Sequence, residues 1–419
     1  MITTIKRALR AWRQYGFIAM LRMAKHRMKA MPIKHNNING TCPVSKLYDE
    51  LLSKYRKGEV CGIAIIPSAF EFDELYNQRT INLAKYLSDR GYGVIYVAWQ
   101  WHKGEALEKN YQYVYKNVVQ IPLYEFVDNH NRFTVFDELS DKKYIIMLPA
   151  KILCDLIFFM KENCFDIYYD IMDDWERFHE AGEAPWYIKS VEEAAVLNAN
   201  KVTAVSEPLV HKFTFLRSDI GLIGNGYFSK LLGDVPPPKT ARRDGDKIIV
   251  GYFGHLTESW FDWELLFDLI DKHDNILFEI IGYGESERIR NKVLKIPEIK
   301  LLGKISPRDL HKYVDQWDIA MIPFKKSELA EAVDPIKVYE YLYFGLPTVA
   351  TGIPHLSEYP YVKLADNESE QFYQAIMGLF EQRLKGEVDY KTITDFLKDK
   401  TWDERFDKLL EPEFLSELY

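Results

Sequence analysis

The chain has 419 residues, of which 47% are hydrophobic and 28% charged, the composition of a globular protein. This length accommodates two domains of roughly 150–200 residues, each with its own core. No apolar run of about 18 residues occurs, so we expect no membrane-spanning helix, and the start lacks the pattern of a signal peptide. The four cysteines lack metal-ligand spacing, so we expect buried thiols in a reducing cytosol.

The first 48 residues differ from the rest, because they hold ten Lys or Arg and no acid. Residues 49–419 hold 44 basic and 62 acidic residues, a formal net charge of −18. Apolar residues, among them Trp12 and Phe17, recur at roughly helical spacing and predict a basic amphipathic helix within residues 1–40. Residues 1–35 of such a helix suit an anionic membrane surface, although packing on the protein's own acidic body is the alternative. Nucleic acid is not an expected partner, because no aromatic and basic module follows.

Alternating strands and helices then predict a first α/β domain over residues 41–230. Its predicted strands are 60–67, 94–98, 118–122, 144–148, 165–170, 201–206 and 220–226. The first βαβ unit has no G-x-G-x-x-G motif, which argues against a dinucleotide site in its first loop. That loop contains Asn77 and Arg79, and Asn77 is also suited to capping the following helix.

Three aspartates, Asp170, Asp173 and Asp174, end the fifth of these strands. In α/β folds, ligand-binding and catalytic residues lie at the carboxyl ends of strands, and these carboxylates occupy such a position. Two close carboxylates repel, so one could have a raised pKa and serve as a catalytic base. A divalent metal site is one alternative. The other is structural: one Asp caps the next helix and another pairs with an arginine such as Arg177.

Residues 231–246, with three consecutive prolines, predict a linker. A second α/β domain is predicted over 247–395, with strands at 248–253, 277–281, 299–302, 319–323 and 348–350. Three of these strands end in turns that contain glycine, at Gly254-His255, at Gly282 to Gly284 and at Gly303-Lys304. The second of these turns permits close approach of backbone to a ligand. Residues 396–419 predict a C-terminal helix.

The segment 332–352 predicts a loop ending at Asp334, a helix, a glycine stop and a buried strand. Lys337 lies in the first turn of this helix, where the helix dipole disfavours a cation, and Glu340 lies one turn further. An anionic ligand at the helix N-terminus explains Lys337. The alternative is a solvated Lys337–Glu340 pair at i,i+3.

Two runs of this sequence resemble GT-B glycosyltransferases, especially family-4-like enzymes of bacterial surface polysaccharide synthesis. The first run contains Pro335, Lys337, Glu340, Tyr341, Gly345, Pro347, Val349 and Ala350. The second is DIYYDIMDDW, which contains the three aspartates. The resemblance covers roughly residues 58–410 and implies two Rossmann-like doubly wound domains facing a cleft, with the last helix crossing back to the first domain.

The resemblance also implies roles for single residues. Glu340 would hold the ribose hydroxyls of a nucleotide-diphosphate sugar, and Lys337 and the Gly254 turn would lie by the diphosphate. Asp334, His255, Gly282, Gly284 and Lys304 complete the predicted donor site. Asn77, Arg79 and Asn225 would face the acceptor, and Asp170, Asp173 and Asp174 are the predicted catalytic residues. Two departures stand out: Ala332 replaces a second glutamate, and no Lys or Arg follows His255 until Lys272.

The sequence thus predicts a glycosyltransferase that needs no metal or other cofactor. Its expected partners are a nucleotide-diphosphate sugar and a lipid-linked or growing glycan. Its expected location is cytoplasmic, peripheral at the inner face of the cell membrane. A non-catalytic GT-B subunit and a sugar-nucleotide epimerase are the alternatives. The base, the sugar, the acceptor and the stereochemistry stay open.

Overall fold

The computed structural model describes residues 43–227 and 247–411. The predicted basic segment 1–40, the predicted linker 231–246 and residues 412–419 lie outside the described residues. The described residues form two compact units, which divide after Gly224 and are called here the first and the second unit. The other predicted domain limits, including the return of the last helix to the first domain, stay predictions.

The first unit contains a sheet whose strand order is β3-β4-β2-β1-β5-β6-β7-β8. Its strands are β1 Gly62–Ser68, β2 Tyr92–Ala98, β3 Gln112–Tyr115, β4 Val118–Pro122, β5 Lys142–Ile146, β6 Asp166–Ile171, β7 Lys201–Ala204 and β8 Ile220–Leu222. All neighbours pair in parallel except β3 and β4. Because parallel strands are covered by helices on both faces, their residues are almost all buried, as in β1 and β5.

Helices connect the strands of the first unit. They are α1 Pro43–Arg56, α2 Arg79–Asp89, α3 Leu123–Asp128, α4 Lys151–Cys154, α5 Ile157–Glu162, α6 Trp175–Glu180, α7 Lys189–Asn198 and α8 Glu207–Phe213, with a 3-10 helix at His130–Phe136. The edge strand β3 was not predicted, because its four residues are partly or fully exposed and lack the apolar run of the buried strands. The expectation of buried thiols is wrong for Cys61 and Cys164, which are exposed beside the starts of β1 and β6.

The second unit contains a fully parallel sheet in the order β11-β10-β9-β12-β13-β14. Its strands are β9 Ile248–His255, β10 Ile276–Tyr283, β11 Ile299–Gly303, β12 Ile319–Pro323, β13 Thr348–Thr351 and β14 Val362–Leu364. The helices are α9 Trp263–Lys272, α10 Glu287–Val293, α11 Leu310–Val314, α12 Glu328–Glu331, α13 Ile336–Tyr343, α14 Ser369–Leu384, α15 Tyr390–Leu397 and α16 Trp402–Leu410, with 3-10 helices at Pro307–Asp309 and Pro354–Glu358.

Both sheets are doubly wound, which confirms the predicted pair of Rossmann-like α/β domains. In the first unit the strand order reverses between β1 and β5, and in the second between β9 and β12. The carboxyl ends of these strands are where α/β folds bind ligands. Across residues 43–227 and 247–411, every helix falls short of the length or the hydropathy needed to traverse a bilayer.

Candidate active site

In the second unit, the predicted glycines lie at the carboxyl ends of β9 and β10, beside the point where the strand order reverses. Gly254 and Gly282 pair in the strand register. A Cβ on Gly282 would lie 1.9 Å from the carbonyl oxygen of Gly254, and Gly282 has a φ of +155°. A Cβ on Gly284 would lie 2.5 Å from His255 Nε2. Only glycine therefore allows the two strand ends and His255 to come this close.

Lys337 points toward the same strand ends from the first turn of α13. A Cβ on Gly254 would lie 2.9 Å from Lys337 Cε, and Lys337 Nζ lies 5.4 Å from the ring centre of Tyr252 and 5.2 Å from that of Phe324. Burial lowers the pKa of the ammonium to about 8, and the charge of Glu340 acts in the opposite direction. Within the described residues, no carboxylate forms an ion pair with Lys337. The site therefore holds a cation whose desolvation outweighs the favourable charge of Glu340.

Glu340 lies one turn after Lys337 and is only 7% exposed. The next residue, Tyr341, accepts a hydrogen bond at its hydroxyl from the Phe253 backbone N–H at 3.0 Å, which ties α13 to β9. The predicted alternative, a solvated surface pair, is wrong because Glu340 is buried and Lys337 is largely desolvated. The predicted contact of Glu340 with a ribose is not tested by the structure and stays a prediction.

His255, Tyr283 and Lys304 form one wall at these strand ends. The rings of His255 and Tyr283 meet edge to face with centres 5.1 Å apart, and Lys304 Nζ lies 5.2 Å from the Tyr283 ring centre. Trp260 packs on the other side of His255 at 5.4 Å. The structure thus brings the predicted residues His255 and Lys304 together through Tyr283, the last residue of β10. Tyr283 was not predicted as a site residue, because the sequence shows only an aromatic residue between two glycines.

Asp334 and Asn225, both in the second unit, are engaged with each other. The Asp334 carboxylate accepts hydrogen bonds from the Asn225 backbone N–H and from the Tyr339 hydroxyl, and its carbonyl oxygen accepts one from Asn225 Nδ2 at 2.6 Å. Burial raises the pKa of Asp334. These contacts hold the two residues together, and the predicted roles of Asp334 in the donor site and of Asn225 on the acceptor side stay predictions.

In the first unit, Asp170 and Arg79 form a buried ion pair. Arg79 is 2% exposed and Asp170 is fully buried. The guanidinium donates to both carboxylate oxygens of Asp170, at 2.6 and 3.0 Å, and to the carbonyl oxygens of Ile223 and Gly224. Thr203 donates a further hydrogen bond to Asp170 at 2.7 Å. The prediction of Asp170 as catalytic and of Arg79 as an acceptor contact is therefore wrong, because the pair is inaccessible and bonded internally.

Asp173 and Asp174 have different surroundings. Asp174 Oδ1 accepts a hydrogen bond from the Arg177 backbone N–H at the start of α6 and pairs with Lys212 at 2.5 Å, so it is the capping residue of the structural alternative. Asp173 keeps part of its surface accessible and makes no side-chain hydrogen bond to a described residue. Burial and the neighbouring Asp174 raise its pKa to about 7, and Arg79 opposes this shift. Of the three aspartates, Asp173 is the one equipped to exchange a proton near neutral pH.

The remaining acceptor-side residue, Asn77, accepts a hydrogen bond from Asn82 Nδ2 at 2.8 Å. The residue at the N-cap of α2 is Gln78, so the capping alternative for Asn77 is wrong. In the part of the chain that the structure describes, no group of three or more His, Cys, Asp or Glu is arranged to hold a metal ion. The predicted independence of metal stays a prediction.

Residues 247–382 match the family described as glycosyl transferases group 1. This range contains the glycine turns, Lys304, Lys337 and Glu340. This match confirms the predicted resemblance to GT-B glycosyltransferases.

A curated relative is named as TuaH, a teichuronic acid biosynthesis glycosyltransferase of Bacillus subtilis (strain 168). It is 25% identical over 185 residues, and the match covers 42% of this chain and 46% of the relative. The chain therefore spans about half the length of that relative.

Solved structures share the fold at low identity over 83–84% of the chain. Sucrose-phosphate synthase from Thermosynechococcus elongatus has a TM-score of 0.63 and 13% identity, covering 83% of this chain and 97% of its own. HepE from Anabaena, in complex with UDP and glucose, has a TM-score of 0.60 and 14% identity, covering 84% and 100%. The catalytic domain of starch synthase IV from Arabidopsis thaliana, bound to ADP and acarbose, has a TM-score of 0.58 and 11% identity, covering 84% of this chain and 98% of that domain.

Proposed function

We propose that this protein is a glycosyltransferase whose second unit binds a nucleotide-diphosphate sugar. The observation that carries this proposal is Lys337, a desolvated cation at the N-terminus of α13 that forms no ion pair with a described carboxylate. A protein accepts such a desolvation cost where the charge meets an anionic ligand. A diphosphate fits this position, because helix N-termini and backbone N–H groups at glycine turns also bind anions.

The other residues of the second unit have roles in this proposal. Lys337 and the turn at Gly254 bind the diphosphate and stabilise it as it leaves, without a metal. Glu340, buried one turn further, accepts hydrogen bonds from the ribose hydroxyls. The wall of His255, Tyr283 and Lys304 lines the rest of the donor site. HepE, which shares the fold, forms a complex with UDP-glucose, so uridine nucleotides are the first donors to test.

The acceptor in this proposal is a lipid-linked or growing surface glycan. The name of the Bacillus subtilis relative, which refers to teichuronic acid biosynthesis, supports a polysaccharide acceptor. Residues 1–35, with nine Lys or Arg and no acid, bring the enzyme to an anionic membrane surface. The enzyme is then peripheral at the inner face of the cell membrane.

The donor site is tested by a thermal-shift screen of UDP-, GDP- and dTDP-sugars, because a ligand of the folded state raises stability. For the best donor, we expect Lys337→Ala and Glu340→Ala each to weaken binding by at least about tenfold, roughly 1.4 kcal/mol, in calorimetry. Lys391→Ala, which removes an exposed cation from the same unit, is the control and leaves affinity unchanged. Wild-type affinity in correctly folded Lys337→Ala and Glu340→Ala proteins would remove α13 from the site.

The proposed binding of residues 1–35 to a membrane surface is tested by a separate experiment. The full chain is expected to sediment with liposomes that contain anionic lipid, and less so at high salt, because each basic residue contributes about 1 kcal/mol that salt screens. A chain that begins at Ile38 stays in the supernatant and still binds the donor. Equal sedimentation of both chains contradicts the role of residues 1–35.

A further inference from the structure

Three tryptophans of the first unit, Trp99, Trp101 and Trp186, form a cluster that the proposed roles above leave unused. Trp99 follows β2 directly, and its ring centre lies 5.9 Å from that of Trp101 and 5.8 Å from that of Trp186. Trp101 is 60% exposed, and Trp99 and Trp186 are partly exposed. We call these three residues the tryptophan platform.

The platform lies at the edge of the sheet that carries Asp173. Trp186 packs on Trp175 with ring centres 5.2 Å apart. Trp175 is the first residue of α6, and its backbone N–H donates to the carbonyl oxygen of Asp173 at 3.1 Å. Trp99 follows β2, and Asp173 follows β6. The tryptophans and Asp173 therefore lie on the same side of one sheet, where the carboxyl ends of its strands are.

The segments that carry the platform are anchored by hydrogen bonds of the residues next to the tryptophans. Buried Gln100 donates to the Glu105 carbonyl oxygen at 2.6 Å and accepts from the Tyr124 backbone N–H at 3.2 Å. Next to Trp186, the Tyr187 hydroxyl donates to Glu192 at 2.8 Å. Rings that are fixed before a ligand arrives lose little conformational entropy on binding, which favours recognition.

We propose that the tryptophan platform binds a pyranose residue of the glycan acceptor, an inference that rests on the proposed function for the nature of that acceptor. One face of a pyranose presents C–H groups, while its hydroxyls point outward. The face of an indole ring is negative and apolar, so it packs against such C–H groups and leaves the hydroxyls in water. A sugar stacked on Trp101 then lies at the sheet edge that contains Asp173.

A membrane surface is the competing occupant, since tryptophan also suits the boundary of a bilayer. The surroundings favour the sugar. The three rings meet at interplanar angles of 83° and 49°, so they present differently oriented walls. The Glu105 carboxylate accepts a hydrogen bond from the Trp101 backbone N–H, and an acid this close to the platform is repelled by anionic lipid.

The test uses the full chain and four tetrasaccharides: maltotetraose, cellotetraose, chitotetraose and a hyaluronan tetrasaccharide. Binding is measured by tryptophan fluorescence and by saturation-transfer NMR, which reports the sugar protons nearest the protein. We expect at least one tetrasaccharide to bind, and Trp101→Ala and Trp186→Ala each to weaken it about tenfold. Phe215→Ala is the matched control, because Phe215 is an equally exposed aromatic residue of the same unit, at 61%, and leaves binding unchanged.

The outcomes separate this inference from the proposed function. Absence of binding up to about 10 mM of all four sugars, or affinity within about twofold of wild type in folded Trp101→Ala, overturns the platform. Loss of liposome sedimentation in Trp101→Ala with unchanged sugar affinity assigns the cluster to the membrane and also overturns it. Donor binding is measured on the same samples. If a donor raises the melting temperature but sugar binding does not depend on the tryptophans, only the platform proposal is contradicted. If a sugar binds but no donor raises the melting temperature, only the proposed transferase activity is contradicted.

Discussion

The carboxyl edges of the two sheets use their charged residues in opposite ways. In the first unit, Asp170 is neutralised by Arg79 and Asp174 by Lys212, so these charges hold the fold together. In the second unit, Lys337 is desolvated and forms no ion pair with a described carboxylate. A charge at the end of a strand is therefore a weak sign of function by itself. A desolvated charge without an ion pair is the stronger sign, because its desolvation costs stability that a ligand can restore.

The largest effect is expected where the charge is fully compensated. Removing one partner of a buried ion pair leaves the other uncompensated, so Arg79→Ala or Asp170→Asn should lower the free energy of unfolding by about 3–5 kcal/mol. Urea denaturation measures this change. Arg56→Ala breaks an exposed pair with Glu138 and should leave the urea midpoint almost unchanged. A loss below about 1 kcal/mol in Arg79→Ala would contradict the structural role of this pair.

Asp173 is the exception in the first unit, and Asp173→Asn should lower turnover about a hundredfold with little change in donor affinity. Because the pKa of Asp173 is raised to about 7, the carboxyl is neutral and cannot accept a proton at lower pH. The wild-type rate should therefore rise with pH and level off above about 7. Kinetics across this range are the measurement.

Asp174→Asn is the control for Asp173, since Asp174 caps α6 and pairs with Lys212. It should keep turnover and lower stability modestly, because Asn still caps α6 but no longer pairs with Lys212. The pH profile should shift to lower pH, because the charge of Asp174 helps to raise the pKa of Asp173. Full turnover in Asp173→Asn would show that none of the three aspartates is catalytic.

The contrast between the units explains what the sequence could predict. Buried strands such as 118–122 and 319–323 were predicted with their observed bounds, because an apolar run between turn signals is a local feature. The proximity of Lys337 to Gly254 followed from the resemblance, which contains the spatial information. The three aspartates could not be separated, because their partners Arg79, Thr203 and Lys212 are distant in sequence. The tryptophan platform was missed because its members come from two loops more than 80 residues apart.

The smallest effect, and the one that tests the comparison most directly, is a gain of stability on removal of a functional charge. The pKa of Lys337 is about 8 in the folded state and has an ordinary value of 10.5. The unfolded chain therefore binds more protons between these values, so this lysine makes stability rise with pH across that window, and below pH 8 its full cost persists.

Lys337→Met keeps the length of the side chain and removes the charge. We expect it to stabilise the ligand-free protein at pH 7 by about 1–2 kcal/mol, after allowance for partial exposure, which raises the melting temperature by about 2–4 °C per kcal/mol. The gain should shrink as pH rises above 8, and the same protein should lose donor binding. Lys391→Met, at an exposed position of the same unit, should leave the melting temperature unchanged. A lower melting temperature for Lys337→Met at pH 7 would mean that the ammonium supports the fold, and Lys337 would then join Arg79 as a structural cation.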